Sequence, residues 1–248
     1  MKKCVVFVLI LALFVQTGLA ERYEFDGAAD AEGAVRAYVE AFAAGDLAGM
    51  LSNFAIESYA DNFDLKAQIA RLQSCMLAQQ MHSLGEGEFF RAANVETRRS
   101  KVYEGIWRQV MSLCAPEMDI TIREIFTGEE GSAQIDAFLA QIAEAEAKFA
   151  RMQPEIVGFE DPMEVNEYIA SERMQQNLSA FATICGGDEI RPMVARLQMG
   201  GTEYLLLCDA VRYGEKWYLH SLSGTLGNLM GVSFIAGGLI PIEEVELP

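Results

Sequence analysis

The fold class is indicated most directly by residues 204–222, YLLLCDAVRYGEKWYLHSL. The first half of this stretch is apolar at both odd and even positions, which is typical of a strand covered on both faces of a sheet. Gly214-Glu215 makes the short turn expected between antiparallel neighbours, and Gly200-Gly201 makes a similar turn just upstream. The strands predicted in this way cover residues 190–199, 202–213 and 216–222. The C-terminal part of the chain is therefore predicted to form an antiparallel sheet.

A helix, a Gly-Asp turn and a second helix are predicted from AVRAYVEAFAAGDLAGMLSNFA, residues 34–55. The first helix has one apolar face, formed by Val35, Tyr38, Val39 and Phe42. Asp30 is predicted to cap its start, and Gly45 to end it in the left-handed conformation. Asp46 is predicted to cap the second helix.

Most of the chain between these two segments is predicted to be helical. The helices are expected at 64–82, 101–114, 132–152 and 161–183, with one short strand at 120–126. The helix at 132–152 should bury Ile135, Phe138, Leu139, Ile142, Phe149 and Met152. The glycine-rich tail, 223–241, is expected to fold back on the core, because it is too interrupted to span a membrane.

The chain begins with the three parts of a secretory signal. Two lysines precede an apolar run at 4–15, and Gly18-Leu19-Ala20 forms a small-x-small cleavage triplet. Residues 1–20 are therefore predicted to be cleaved, and 21–248 to be a single domain that is periplasmic or secreted, with no stable membrane insertion. Loss of the two lysines changes the formal net charge from −17 to −19. Such an acidic surface disfavours nucleic acid as a partner.

Four cysteines remain after removal of the signal. An even number in an exported protein suggests two disulfides, with three possible pairings. The pairing favoured here is Cys75–Cys114 and Cys185–Cys208, since each pair lies on elements expected to be neighbours. Four buried thiols are the alternative.

The two segments quoted above resemble the nuclear transport factor 2-like superfamily, also called SnoaL-like or ketosteroid-isomerase-like. Residues 34–55 resemble its opening helices, and residues 204–222 resemble its closing strand pair. The resemblance implies an α+β fold in which a cone-like, curved antiparallel sheet packs on the N-terminal helices and a pocket opens at the cone mouth. The chain between the matches exceeds what that fold needs, which implies a large helical insertion at about 63–185. The superfamily often pairs as homodimers across the open sheet face, so a homodimer is one expectation.

The similarity to ketosteroid isomerase implies roles for individual residues. Tyr38 takes the place of its catalytic tyrosine, and Asp209 that of the acid which its apolar site keeps protonated. Asn62 stands where the general base belongs, and an amide cannot take a proton. Asp61 and His220 are the remaining candidates for a base.

The residues themselves leave alternatives open. Tyr38 on a buried helical face is either a core residue or a pocket hydroxyl. Asp209 lies in an apolar strand, so its carboxyl is paired with Arg212 or Arg196, neutral, or at the rim of a pocket. His220 is expected to alternate with Tyr218 and Leu222 on the last strand. The group His82, Glu86 and Glu88 is interpreted as solvated, so no metal and no cofactor are predicted.

These observations favour a protein that binds a small apolar molecule, or a partner protein, at the cone mouth without catalysis. The residues expected to contact the ligand are Tyr38, Phe42, Tyr204, Asp209, Trp217 and His220. One alternative is an enzyme of the isomerase, cyclase or dehydratase type that uses the same pocket. The other is a structural interaction module whose pocket is filled by its own side chains.

Overall fold

The computed structural model describes residues 23–72, 87–114, 128–232 and 236–244. The predicted signal, the strand expected at 120–126, Cys75, His82 and Glu86 lie outside these ranges. The α-helices are α1 Ala31–Ala43, α2 Leu47–Ser52, α3 Glu57–Asn62, α4 Leu65–Leu72, α5 Glu88–Cys114, α6 Gly128–Phe149, α7 Pro162–Val165, α8 Glu172–Cys185 and α9 Gly224–Leu229. The strands are β1 Glu155–Glu160, β2 Glu189–Met199, β3 Thr202–Tyr213, β4 Lys216–Leu222 and β5 Leu239–Pro241. Short 3-10 helices cover Glu167–Ala170 and Ile242–Glu244.

The sheet is antiparallel, curled and unclosed, with strand order β1-β2-β3-β4. The predicted strands at 190–199, 202–213 and 216–222 are confirmed to within one residue as β2, β3 and β4. The edge strand β1 was not predicted from the sequence. The tail folds back as expected, because β5 pairs with β3 through Leu206 and Leu239. The mixture of helices with an antiparallel sheet confirms the predicted α+β class.

The N-terminal helices begin and end where the sequence predicts. The Asp30 side chain accepts a hydrogen bond from the Gly33 backbone nitrogen at the start of α1, and Asp46 accepts one from Gly49 at the start of α2. Gly45 has a φ of +66°, the left-handed conformation that ends α1.

Two hydrophobic cores lie on the two faces of the sheet. Alternate residues of β3 separate them, with Leu206, Cys208 and Ala210 in the first core and Leu205, Leu207 and Val211 in the second. Helices α1, α2, α5 and α6 contribute to the first core, and α7 and α8 to the second. Both faces of β3 are therefore covered, as its sequence predicts.

The two ends of the described chain meet at β4. Ala28 and Trp217 exchange backbone hydrogen bonds of 2.9 and 3.0 Å. The Ala55 nitrogen donates to the Leu219 carbonyl at 2.9 Å, and the Leu219 nitrogen donates to the Asn53 carbonyl at 2.9 Å. The N-terminal helices are thereby fixed against the strand that closes the sheet.

Three predicted helices differ from the structure. The helix expected at 101–114 begins earlier, at Glu88, as α5. The helix expected at 161–183 is interrupted after Val165, and a regular helix resumes only at α8, which ends at Gly186 with a φ of +67°. In α6, Ile135 and Leu139 are 42% and 55% exposed, so their expected burial is wrong. The part of α6 that packs on the core is its C-terminal end, at Ala145 and Phe149. Within the described ranges, no helix is long and apolar enough to cross a membrane.

Candidate functional site

Tyr38 is enclosed by packed side chains, and not by the ligand cavity that the sequence predicts beside it. Tyr38 is 0% exposed, and its hydroxyl donates a 2.5 Å hydrogen bond to Oε1 of Gln109, which is equally buried. Gln109 in turn donates through Nε2 to the Gly237 carbonyl at 3.0 Å. Helix α5 thus places Gln109 where it can accept the hydrogen bond that the buried Tyr38 hydroxyl must donate. Burial raises the pKa of Tyr38 well above its ordinary value, so the phenol stays neutral.

Three other residues expected at a ligand pocket serve in packing instead. Phe42 is fully buried and its ring stacks on Phe149 at 5.1 Å between centroids. Trp217 is buried beneath the guanidinium of Arg191, which lies 4.7 Å from the ring centroid. Tyr204 packs against the first core. Neither of the two cavities described below is lined by Phe42, Trp217, Tyr204 or Tyr38.

Asp61 does not supply a base to the interior. It lies on α3, a helix, and its carboxylate forms a two-point ion pair with Arg91 at 2.6 and 2.8 Å. Both side chains are 40% or more exposed. A carboxylate held outward on the surface cannot reach a ligand beneath the sheet, so this candidate is wrong.

The favoured disulfide pairing is also wrong. Cys114, Cys185 and Cys208 are free and buried. Cys208 belongs to the first core and Cys185 to the second, so the sheet lies between their side chains. Cys114 contacts the sulfur of Met152 at 3.4 Å. The alternative of buried thiols holds for these three residues.

Asp209 is buried, 2% exposed, and neither predicted arginine is its partner. Arg196 pairs with Glu160 and Glu203, and Arg212 pairs with Asp188 and Glu189.

The carboxylate of Asp209 instead accepts hydrogen bonds from Thr225 at the start of α9. The Thr225 backbone nitrogen lies 2.9 and 3.0 Å from its two oxygens, and the Thr225 hydroxyl lies 3.0 Å from Oδ2. Burial raises the pKa of Asp209 to about 6, against the opposite effect of the hydrogen bonds from Thr225 and Ser221.

His220 is the extra residue of a β-bulge. Asp209 lies opposite Ser221, whereas the next pair joins Ala210 to Leu219, so His220 has no partner across the strands. The bulge breaks the expected alternation. Tyr218 and His220 face the second core, and Leu222 packs on the first.

The His220 ring is enclosed by apolar and aromatic groups. Its Nε2 lies 3.9 Å from the Cys185 sulfur, and its centroid lies 5.7 Å from that of Tyr59 and 5.5 Å from that of Phe181. Burial and the positive charge of Arg98 lower the pKa of His220 well below its ordinary value. The imidazole is therefore neutral, and its Nδ1 is buried without a hydrogen-bond partner in the part of the chain that the structure describes.

A cavity of about 430 Å³, here called the bulge cavity, opens between α8, α9 and the bulged end of β4. Its apolar lining residues are Met174, Leu178, Phe181, Leu222 and Leu229. Its polar lining residues include Asn177, Asp209, His220, Ser223 and Asn228. Two of the predicted site residues, Asp209 and His220, are thus brought together here, away from Tyr38.

Ser223 is the site residue that sequence reasoning missed. It is 5% exposed, its hydroxyl has no hydrogen-bond partner among the described residues, and it lines the bulge cavity. Its φ of 63° is uncommon for a residue other than glycine. The turn from β4 directly into α9 imposes this backbone conformation, and nothing in the local sequence signals it.

The bulge cavity does not contain an assembled nucleophile. Neither the hydroxyl of Ser223 nor Nδ1 of His220 has a partner among residues 23–72, 87–114, 128–232 and 236–244, so they are not bonded to each other. Asp209 is bonded to Thr225 and not to the imidazole. A serine nucleophile needs a base within hydrogen-bond reach, and a third group to orient that base. In the described part of the chain, no group of three or more His, Cys, Asp or Glu residues is placed to hold a metal ion.

The fold and cavity define an α+β protein with a curled antiparallel sheet and an internal site beside its last full strand. No protein-family model matches the chain, and no curated protein matches it. A cystatin-like protein from Ruminococcus gnavus ATCC 29149 is similar in structure, with a TM-score of 0.40 and 16% identity. The alignment covers 77% of this chain and 39% of that protein, so the chain spans less than half of its length.

Proposed function

We propose that this is an exported, non-catalytic binding protein that holds a small, predominantly apolar molecule in the bulge cavity. The observation that carries the proposal is the cavity of about 430 Å³, whose mainly apolar wall carries the polar residues Asp209, His220 and Ser223. Nδ1 of His220 and Oγ of Ser223 are fully buried in this wall without a partner among the described residues, and a ligand that displaces the side chains over them would supply one.

The size and lining of the cavity fit a small organic ligand. Ligand pockets commonly measure about 300 to 1,000 Å³, with mainly apolar walls and a few polar groups that fix orientation. Met174, Leu178 and Phe181 of α8 form one apolar wall, and Leu229 contributes from α9. The apolar body of the ligand would replace water on these side chains.

The polar groups limit the charge of the ligand. The charged lining residues are Asp209, which is buried, and Arg71, which is exposed and donates to Oδ1 of Asn177 at 3.2 Å. The buried charge, that of Asp209, disfavours an anion, and the neutral imidazole of His220 offers no positive charge to a carboxylate. Ser223 offers a hydroxyl that both donates and accepts. A neutral molecule with one hydroxyl or amine group satisfies this set.

A matched pair of variants tests the proposal with N-phenyl-1-naphthylamine, a neutral apolar probe with one N–H group. Asn177→Trp places an indole at the cavity wall, whereas Gln176→Trp places it on the exposed side of the same helix. The wild type and Gln176→Trp should bind the probe saturably with enhanced fluorescence, and Asn177→Trp should not. Equal binding by all three proteins contradicts the proposal. Native mass spectrometry of protein purified from its own host then identifies the retained molecule.

A second candidate is an acid–base enzyme of the isomerase, cyclase or dehydratase type in the same cavity. The observation that favours it is the presence of a neutral imidazole and a carboxyl group of pKa about 6 on one cavity wall. Turnover lost in both Asp209→Asn and His220→Gln, with probe binding retained, would establish this alternative.

The same proposal includes membership in the nuclear transport factor 2-like superfamily. It is supported by the packing of α1, and of Asn53 and Ala55 after α2, against β4, the arrangement that the resemblance implies. Export is tested by N-terminal sequencing of the mature protein, which should begin at Glu21. A homodimer remains a prediction, and sedimentation equilibrium measures it.

A further inference from the structure

Arg98 is a buried charge on α5 whose hydrogen bonds are made to carbonyl groups. It is 8% exposed, and its Nε donates to the Ala55 carbonyl at 3.0 Å while Nη2 donates to the His220 carbonyl at 2.6 Å. Its guanidinium also lies 4.3 Å from the Tyr59 ring centroid. These contacts orient the group but leave its positive charge uncompensated by an anion.

No carboxylate of the described residues pairs with Arg98 within 4.0 Å. Glu24 acts on it through space, but Glu24 already accepts hydrogen bonds from Ile56 and Ser58. Nη1 of Arg98 makes no hydrogen bond among the described residues. Arg98 also lines a second cavity, so an anion could approach its side chain from there. A buried guanidinium without an anion is costly, because the charge has lost its hydration.

The second cavity that Arg98 lines is here called the Arg98 cavity. It measures about 140 Å³ and is lined by Arg98, Lys101, Phe54, Val102, Gly105 and Leu222, among others. Lys101 lies one helical turn after Arg98, so two positive side chains line one small cavity. Phe54, Val102 and Leu222 make the rest of the wall mainly apolar.

We infer that the Arg98 cavity binds a short-chain monocarboxylate, such as propionate. The carboxylate would accept hydrogen bonds from Nη1 of Arg98 and face Lys101, and the alkyl chain would lie against the three apolar side chains. Guanidinium groups match the geometry of carboxylates. His220, Ser221 and Leu222 line both this cavity and the bulge cavity, so the two adjoin across the end of β4. The inference does not rest on the function proposed for the bulge cavity.

The size and polarity of the Arg98 cavity favour short-chain monocarboxylates over other anions. At about 30 Å³ for each water-sized group, 140 Å³ holds about four or five such groups, which is the size of propionate or butyrate. A phosphate dianion requires more donors than these side chains offer, and it gains nothing from the apolar wall. The chain of a long-chain acid would extend beyond the cavity and gain no further contact with its apolar wall.

The experiment titrates acetate, propionate, butyrate and inorganic phosphate into the full-length mature protein at constant ionic strength. Calorimetry measures affinity, and the Nε–H signal of Arg98 in ¹H–¹⁵N spectra reports the site. Propionate and butyrate should saturate one site and bind more tightly than acetate, while phosphate should bind more weakly. Chain-length dependence is the expected signature of the apolar wall.

Two variants block the site without removing Arg98. A Cβ at Gly105 would meet no atom within 4 Å, so Gly105→Leu fills the cavity and also favours the helix. It should abolish saturable binding. Lys101→Gln should weaken propionate binding about threefold, the effect of one exposed charge. Lys66→Gln removes an equal charge from a surface outside the cavity and should change nothing.

Two results would overturn the inference. One is the absence of saturable binding for all four anions by the wild type. The other is binding that is equal for all of them and unchanged in Gly105→Leu, which would indicate attraction to surface charge alone.

Discussion

Thr225 donates its backbone N–H and its hydroxyl to the same carboxylate, that of Asp209, at distances of 2.9 to 3.0 Å. These bonds join the middle of β3 to the first turn of α9. They also hold a buried acid at the wall of the bulge cavity, where its ionisation is linked to the stability of the fold.

Asp209→Asn should change how stability depends on pH. Burial raises the pKa of Asp209 to about 6 in the folded protein, whereas an unfolded aspartate has a pKa of about 3.9. Between these values the folded state binds a proton that the unfolded state has lost, so this group's contribution to stability falls as pH rises from 4 to 6. The full loss is about 3 kcal/mol, complete above pH 6. Urea denaturation across this range should show the slope in the wild type and not in Asp209→Asn.

His220→Gln should remove a pH dependence of the opposite sign. The pKa of His220 is lowered well below 6.5 by burial and by Arg98, so below pH 6.5 the unfolded state takes up a proton that the folded state does not. Its contribution to stability is present above pH 6.5 and is lost as the pH falls. The difference in unfolding free energy between wild type and His220→Gln should therefore shrink on acidification. A difference that grows on acidification would mean that the folded protein protonates His220.

Tyr38→Phe should destabilise the protein by about 1 to 3 kcal/mol, because it leaves Oε1 of the fully buried Gln109 without its donor. Denaturant unfolding measures the loss. Tyr103→Phe is the matched control, since Tyr103 is 45% exposed, and it should have no effect. Unchanged stability in Tyr38→Phe would show that water replaces the hydroxyl, and hence that an accessible space adjoins this residue.

The parts of the fold that depend on local patterns could be predicted from the sequence. The limits of α1, with Asp30 and Gly45 at its ends, follow from residues within a few positions of each other. The same is true of the strands β2 to β4, whose turns contain glycine. The edge strand β1 was missed because only four residues lie between its terminal glutamates, and one of them is Gly158.

The site could be predicted only in part, because it depends on distant pairing. Asp209 and His220 were both identified, but their cavity is set by the bulge, which exists only in the register between β3 and β4. The Tyr38 hydroxyl was expected to face a pocket, but it donates a hydrogen bond to Gln109, which is 71 residues away in the sequence. The hydrophobic periodicity of the two segments does not indicate that Tyr38 and Gln109 are in contact.

Gly224 and Gly231 form a matched pair that separates backbone strain from steric contact at the bulge cavity. Both have positive φ, +56° and +66°. A Cβ at Gly224 would lie 2.6 Å from Oδ1 of Asp209 and 2.9 Å from its backbone nitrogen, whereas a Cβ at Gly231 would meet nothing within 4 Å.

Gly231→Ala should therefore cost about 1 kcal/mol, the strain of a left-handed alanine. Gly224→Ala should cost about 3 kcal/mol or more, because α9 must also move away from Asp209. Thermal or urea unfolding measures both values. The displacement should break the bonds between Thr225 and Asp209, so Gly224→Ala should also lose binding of N-phenyl-1-naphthylamine while Gly231→Ala retains it. Equal costs for the two variants would mean that α9 is free to shift, and that the carboxylate of Asp209 is not fixed by the turn that follows β4.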